Sequence, residues 1–184
     1  MIAPKLRFSE FKDEWIEKTI DELNAFLKDG THGTHIDDNN SRFYLLSAKN
    51  IIDEKVIFDK KDRKINETEF KSIYKNYELK EKDILLTVVG TIGRVALFKN
   101  EYKNFAFQRS VAFIRFDESL INSNFVLQFM LNNYFQNQLK LRQVVSAQPG
   151  IYLNDLSKIS IQFPSLKEQT KIAEFLSAVD DKIS

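Results

Sequence analysis

The chain has 184 residues, 43% of them hydrophobic and 29% charged, with a net charge of +1 and no cysteine. This is the makeup of an ordinary globular protein with room for one sizeable core, or one domain and an appendage. It excludes disulfides, thiolate nucleophiles and Cys-bound zinc, and neither an apolar signal core nor a membrane-spanning run is present, so a cytoplasmic location is expected.

In chain order, the segment around Trp15 to Ile20 reads as a short strand or a helix start. "RFYLLSAKNI" has the density of a buried strand running into a turn. "NETEFKSIYKNY" opens with Asn66 as N-cap and Glu69 as its capping partner, which predicts a short helix. "DILLTVVG", "RVALF" and "SVAFIRF" are strands, with Gly90 and Gly93 marking the turn "GTIGR". "NSNFVLQFMLNNYFQNQLKLRQ" contains neither Gly nor Pro and predicts one helix of about twenty residues. After the breakers Pro149 and Gly150, "SKISIQFP" is a further strand stopped by Pro164. The last helix starts at Ser165, with Glu168 at the capping-box position. On it Ile172, Leu176, Val179 and Ile183 recur at spacings of four, three and four, the seam of a heptad pattern. Two uses of that stripe stand open: packing on its own domain, or association with a helix of a second copy, a second domain or another protein.

Charge is uneven along the chain. Residues 1–41 carry 5 basic and 9 acidic side chains, whereas residues 94–116 carry Arg94, Lys99, Lys103, Arg109 and Arg115 against Glu101 alone. The basic segment is either a footprint for a polyanion or a solvated, lysine-decorated face.

Four constellations can carry chemistry. His32 and His35, followed by Asp37 and Asp38, have metal-ligand residue types, but a Gly-containing loop does not fix their geometry, so a polar surface loop without metal is expected. "GTIGR" leads into a strand and lacks a Walker lysine, so it is a tight turn and not a nucleotide loop; Thr91 and Arg94 at its ends can still reach a DNA phosphate. In "FAFQRSVAF", Gln108 suits adenine and Arg109 suits guanine or phosphate; the alternative is an arginine buried against a carboxylate of the acidic N-terminal segment. In "SAQPG", Ser146 and Gln148 either donate to a phosphate or base edge or sit in a polar connector. No catalytic pattern is present.

Taken together, "PKLRFSEFKDEWIEKTIDEL", "DGTH", "GTIGRVAL", "FQRSVAFI" and the long tail resemble the specificity subunit of type I restriction–modification systems. The tail is the most specific part: Leu156, Ile159, Ile161, Pro164, Leu166, Glu168, Gln169, Lys171, Ile172, Ala173, Phe175 and Leu176 all match the family pattern. The chain departs from that pattern at His35, where Pro is common, and at Val145, where Gly is common. The resemblance implies an α+β fold: a target-recognition domain (1–164) with a twisted sheet or barrel-like core and flanking helices, then the start of a coiled-coil spacer helix (165–184).

It also implies one of two tandem units whose spacer helices pair antiparallel and set the distance between half-sites. Expected partners are double-stranded DNA, methyltransferase and restriction subunits, and a second recognition unit or second copy through Ile172, Leu176, Val179 and Ile183. S-adenosylmethionine, ATP and magnesium are expected only in those partner subunits, with no cofactor and no catalysis in this chain. Contacts to DNA are expected from Thr31, His32, Lys49, Thr91, Arg94, Gln108, Arg109, Ser146 and Gln148. The alternatives are an interaction module that docks partners through its last helix without touching DNA, and a metal-dependent enzyme built on the His32 loop.

Overall fold

The structure, a computed structural model, describes residues 4–144 and 149–183, with the side chains of Asp181 and Ile183 outside the description. In chain order come β1 (Ile16–Thr19), β2 (Phe26–Asp29), β3 (Phe43–Leu46), β4 (Ile51–Ile52), β5 (Lys55–Val56), β6 (Lys64–Ile65), α1 (Glu67–Asn76), β7 (Ile84–Thr87), β8 (Val95–Leu97), β9 (Phe105–Phe107) and β10 (Val111–Arg115). Then follow α2 (Ser123–Leu131), α3 (Asn133–Leu141), α4 (Leu153–Leu156), β11 (Ser160–Phe163) and α5 (Leu166–Ile183).

The organising element is the antiparallel sheet β2-β10-β7-β8. Side chains alternate across a strand, and here both faces are covered. Ile84, Leu86, Val95, Ala112 and Ile114 enter a core shared with α2, α3 and β11. Leu85, Ala96, Val111 and Phe113 enter a second core shared with β3, β9 and α1. That is why "ILLT" carries no polar alternation: all four of its residues are buried. Each large apolar side chain removed from water in this way contributes about 1.5–3 kcal/mol before conformational entropy is subtracted.

The second sheet, β6-β3-β9, pairs β3 parallel with β9; β1 pairs with β11, and β4 with β5 as a small ribbon. The mixed architecture matches the α+β expectation, but the sheets remain open and do not close into a barrel.

Several local expectations change. The segment predicted as one long helix is two. At Asn132 the backbone is extended (φ −73°, ψ 158°), and its side chain accepts from Phe135 N–H to cap α3. An asparagine competes well for the chain in this way, so no Gly or Pro is needed to interrupt it. Asn66 caps α1 through Glu69 N–H as expected, but the Glu69 carboxylate turns to His35. Likewise Glu168 does not return to its helix cap: it receives two bonds of 2.7 Å from Arg7. The basic segment splits between the two ends of β10. Arg115 is locked onto the buried Asp83 at 2.6 and 2.7 Å, while Arg109 lies before the opposite end, so these charges do not make one footprint.

Helix α5 is rooted in its own domain. Gln169 is fully buried; its Oε1 accepts from Asn122 N–H, and its Nε2 donates to Leu120 O and Pro164 O. Glu168, also fully buried, is met by Arg7 and by Trp15 Nε1. Hydrogen bonds satisfied in this way are what allow polar groups to be buried at all. The "EQ" of the tail is therefore a fastening between α5, the loop before α2 and the N-terminal segment.

Candidate nucleic-acid interface

The loops at one end of the sheets are tied together by backbone hydrogen bonds. From β2, Thr31 N–H donates to Phe107 O (2.8 Å), and Thr31 O accepts from Arg109 N–H (3.0 Å). Gln108 N–H donates to Leu46 O at the end of β3. Ser110 accepts from Ala48 N–H at its hydroxyl and from Val88 N–H at its carbonyl. On the other side, Gly90 N–H reaches Pro149 O, Ile151 N–H reaches Val88 O, and Val144 N–H reaches Gly150 O. The loops after β2, β3, β7, α3 and β9 thus form one continuous surface.

Gly30 makes the closest approach possible. A Cβ there would stand 2.2 Å from Phe107 O and 2.4 Å from Gln108 O, so only glycine lets the β2 loop lie against the Gln108–Arg109 turn.

Thr31, His32, Gln108 and Arg109 are brought side by side on this surface. Arg109 is exposed and makes no ion pair or side-chain hydrogen bond among the described residues, so the alternative of an arginine buried against a carboxylate does not hold. It lines a cleft of about 330 Å³ with Asp29, His32, Val89, Val144 and Tyr152. His32 is exposed and its Nε2 lies 2.8 Å from Asp29 Oδ2. Gln108 is half-buried, in a bridge with Thr31.

Lys49, Thr91 and Arg94 sit on the adjoining loops in more crowded electrostatics. The Lys49 ammonium lies 2.7 Å from Asp62. Burial pushes the Asp62 carboxyl upward, but the bonds it accepts from Lys49, Asp59 N–H and Asn50 outweigh this and hold it below its ordinary value. Arg94 donates to Ile51 O at 3.2 Å and shares a shallow cleft with Asp53 and Glu54. There burial, then Asp53 and Asp180, raise the Glu54 carboxyl. Thr91 is exposed on the turn where Gly90 and Gly93 take positive φ. Ser146 and Gln148 lie outside the described residues.

The four residues of the metal expectation do not converge. His32 is turned to Asp29, His35 to Glu69 and Thr31, and Asp37 to Arg63. Among the described residues, no group of three His, Asp or Glu could hold a metal ion, and no helix is long and apolar enough to cross a membrane.

On α5 the seam is shared. Ile172 packs against the core of its own domain. Leu176 lines an apolar cleft of about 400 Å³ with Pro4, Leu6, Phe8, Trp15 and Phe175, and Val179 is half-buried. Phe8 meets Phe175 edge to face at 5.7 Å. Asp29, Ser110 and Tyr152 belong to the surface but were not singled out from sequence. Ser110, directly after "QR", was the one most open to discovery, because a serine between a turn and a strand is placed to accept from neighbouring backbone.

Residues 12–184 match the family described as the type I restriction modification DNA specificity domain. Among curated proteins, the chain is 33% identical over 123 residues to a putative type I restriction enzyme specificity subunit of Haemophilus influenzae, covering 64% of this chain and 29% of that protein. It is 30% identical over 113 residues to the type I restriction enzyme EcoBI specificity subunit of Escherichia coli, covering 60% and 24%. Among solved structures, it shares its fold with a type I restriction-modification S subunit from M. genitalium at a TM-score of 0.68 and 20% identity, over 97% of this chain and 42% of that one. The HsdS subunit of Thermoanaerobacter tengcongensis follows at 0.62 and 16%, over 98% and 40%. The chain thus spans less than half the length of the relatives it matches. The family match runs from Lys12 through the final helix, and the chain belongs to the type I restriction modification DNA specificity domain family.

Proposed function

We propose that this chain is a non-catalytic reader of duplex DNA, which recognises one half of a split site and brings methyltransferase and restriction subunits to it. The observation that carries this reading is Arg109: an exposed guanidinium without an ion pair or side-chain hydrogen bond among the described residues, beside Gln108, Thr31 and His32, on a surface built from loops that a double core supports. Lysine and arginine contacts to phosphate position a protein on the duplex, and base edges in the major groove supply the sequence information. Arg109 and Gln108 are assigned to base edges or phosphate, Thr31 and His32 to phosphate, and Lys49, Thr91, Arg94, Ser146 and Gln148 to the surrounding contacts. Lys49 and Arg94 contribute less because carboxylates already stand beside them.

In this reading residues 1–164 form the recognition domain and residues 165–184 begin a spacer helix. Leu176, Val179 and Ile183, with the remaining surface of Ile172, face a partner helix from a second unit or a second copy. S-adenosylmethionine, ATP and magnesium then serve the partner subunits, and the location is cytoplasmic.

The test is to incubate the chain with a pool of random-sequence duplexes at low salt and sequence the retained fraction. An enriched motif is expected, and Arg109→Ala should weaken retention about 5- to 150-fold, the range of one lost bidentate base contact, and relax one position of the motif. No enrichment by a chain that still binds a methyltransferase subunit would favour the docking module instead.

A further inference from the structure

Thr31 is not a free hydroxyl. Glu69 Oε2 on α1 lies 2.7 Å from His35 Nδ1, and His35 Nε2 lies 2.9 Å from Thr31 Oγ1. The His35 side chain is 10% exposed and that of Glu69 24%. A carboxylate only accepts hydrogen bonds, so in the neutral ring Nδ1 carries the hydrogen and Nε2 is a bare acceptor. The Thr31 hydroxyl then spends its single hydrogen on Nε2. A phosphate oxygen is also only an acceptor, so in this state Thr31 has nothing to offer it.

The other charged groups around His35 are accounted for. Arg63 donates through Nη2 to the His35 carbonyl (2.9 Å) and through Nε to Asp37 (2.7 Å). The neighbouring His32 turns away to Asp29. Glu69 is therefore the one carboxylate placed to balance a charge on the His35 ring among the described residues.

Resting on the DNA-reading function above, we propose that His35 is a positioning residue for Thr31, and that a backbone phosphate binds at Thr31 with uptake of one proton at His35. The step balances simply. Nε2 takes a proton from solvent, one N–H bond forms, and no other covalent bond changes. The O–H···N hydrogen bond becomes N–H···O, with Thr31 Oγ1 now accepting from the ring. The released hydroxyl hydrogen, whose one internal alternative among the described residues is the long contact to His32 O at 3.4 Å, donates to the phosphate. Glu69 holds the imidazolium from behind, and the arriving phosphate adds a second anion on the Thr31 side. Histidine gains and loses its proton between about pH 5 and 8. Binding favours the protonated ring, so DNA affinity rises as pH falls through that range.

A phosphate contact carries no sequence information, so a random-sequence duplex of about 30 base pairs is a sufficient probe at constant ionic strength. Fluorescence anisotropy with the 184-residue chain across the histidine range should show Kd falling by up to about 10-fold per pH unit, the limit for one linked proton. His32 also faces the phosphate side, so the comparison is made in a His32→Gln background, where Thr31→Ser and Arg109→Ala should keep the remaining slope, while Thr31→Val and His35→Gln should remove it. The ring-nitrogen NMR signals of His35 should move toward the imidazolium form when duplex is added, and should not do so in Thr31→Val. A merely structural role would lower affinity at all pH values without touching the slope. Should His35→Gln fail to fold by circular dichroism, the near-isosteric Thr31→Val decides. A flat profile in the His32→Gln background, or a slope there that survives Thr31→Val, overturns the inference and leaves DNA reading intact. Absence of binding by any variant at any pH overturns both.

Discussion

Arg109 and Arg115 flank the same strand and meet opposite fates. Arg115 is gripped by Asp83, donates to Glu78 O and lies over the Phe26 ring at 4.9 Å. Arg109 meets none of these. Nothing in the local sequence separates them; the difference is Asp83, brought to one end of β10 by the turn before β7. The candidate site was legible to the same extent. Gln108 and Arg109 stood out because polar residues interrupted an apolar run, but whether the arginine was buried or free depended on a partner far along the chain. Glycine offers a sharper residue-scale test. Gly30→Ala places a methyl group against backbone carbonyls that cannot yield and should cost on the order of 3 kcal/mol in urea unfolding, the upper end for overpacking. Gly33 has open space around it but a φ of +95°, so Gly33→Ala should cost only about 1–2 kcal/mol.

At the scale of elements, the legible ones were those with apolar runs bounded by clear punctuation: β3, β7, β8, β10, β11, α1 and α5 all lie where periodicity and punctuation put them. β2 and β9 escaped notice because "FLKD" and "FAF" are too short to establish a period, and they become strands only because β10 and β3 are there to pair with them. Helix α4, with four residues, escaped for the same reason. The break between α2 and α3 depends on one side chain. Asn132 ends the first helix and caps the second, so Asn132→Ala should destabilise the protein by about 1 kcal/mol, read as a lowered melting temperature. Alanine is also the strongest helix former, so the variant should show increased helical circular dichroism if the two helices then join.

For the whole molecule, the central sheet separates two cores, one shared with β3, β9 and α1, the other with α2, α3 and α5. The final helix reads from sequence as an uncovered stripe, yet its first turns are covered by the N-terminal segment and α2, which lie more than a hundred and about forty residues away in the chain and leave no local mark. What remains for a partner is the outer part of the seam. If this surface pairs with a second copy, Leu176→Asp should convert a dimer to a monomer by light scattering at unchanged secondary structure; an unmutated chain that is already monomeric means the exposed seam needs another partner. The buried Glu168–Gln169 fastening has a mechanical consequence. Gln169 is the fourth residue of the 18-residue helix, so about 21 Å of it runs on beyond the fastening. A swing of about 10° there would carry the tip sideways by roughly 4 Å. The two clamped side chains, helped by the bond from Gln128 to Asp180 farther along the helix, therefore act as a bracket that fixes the angle between the final helix and its domain.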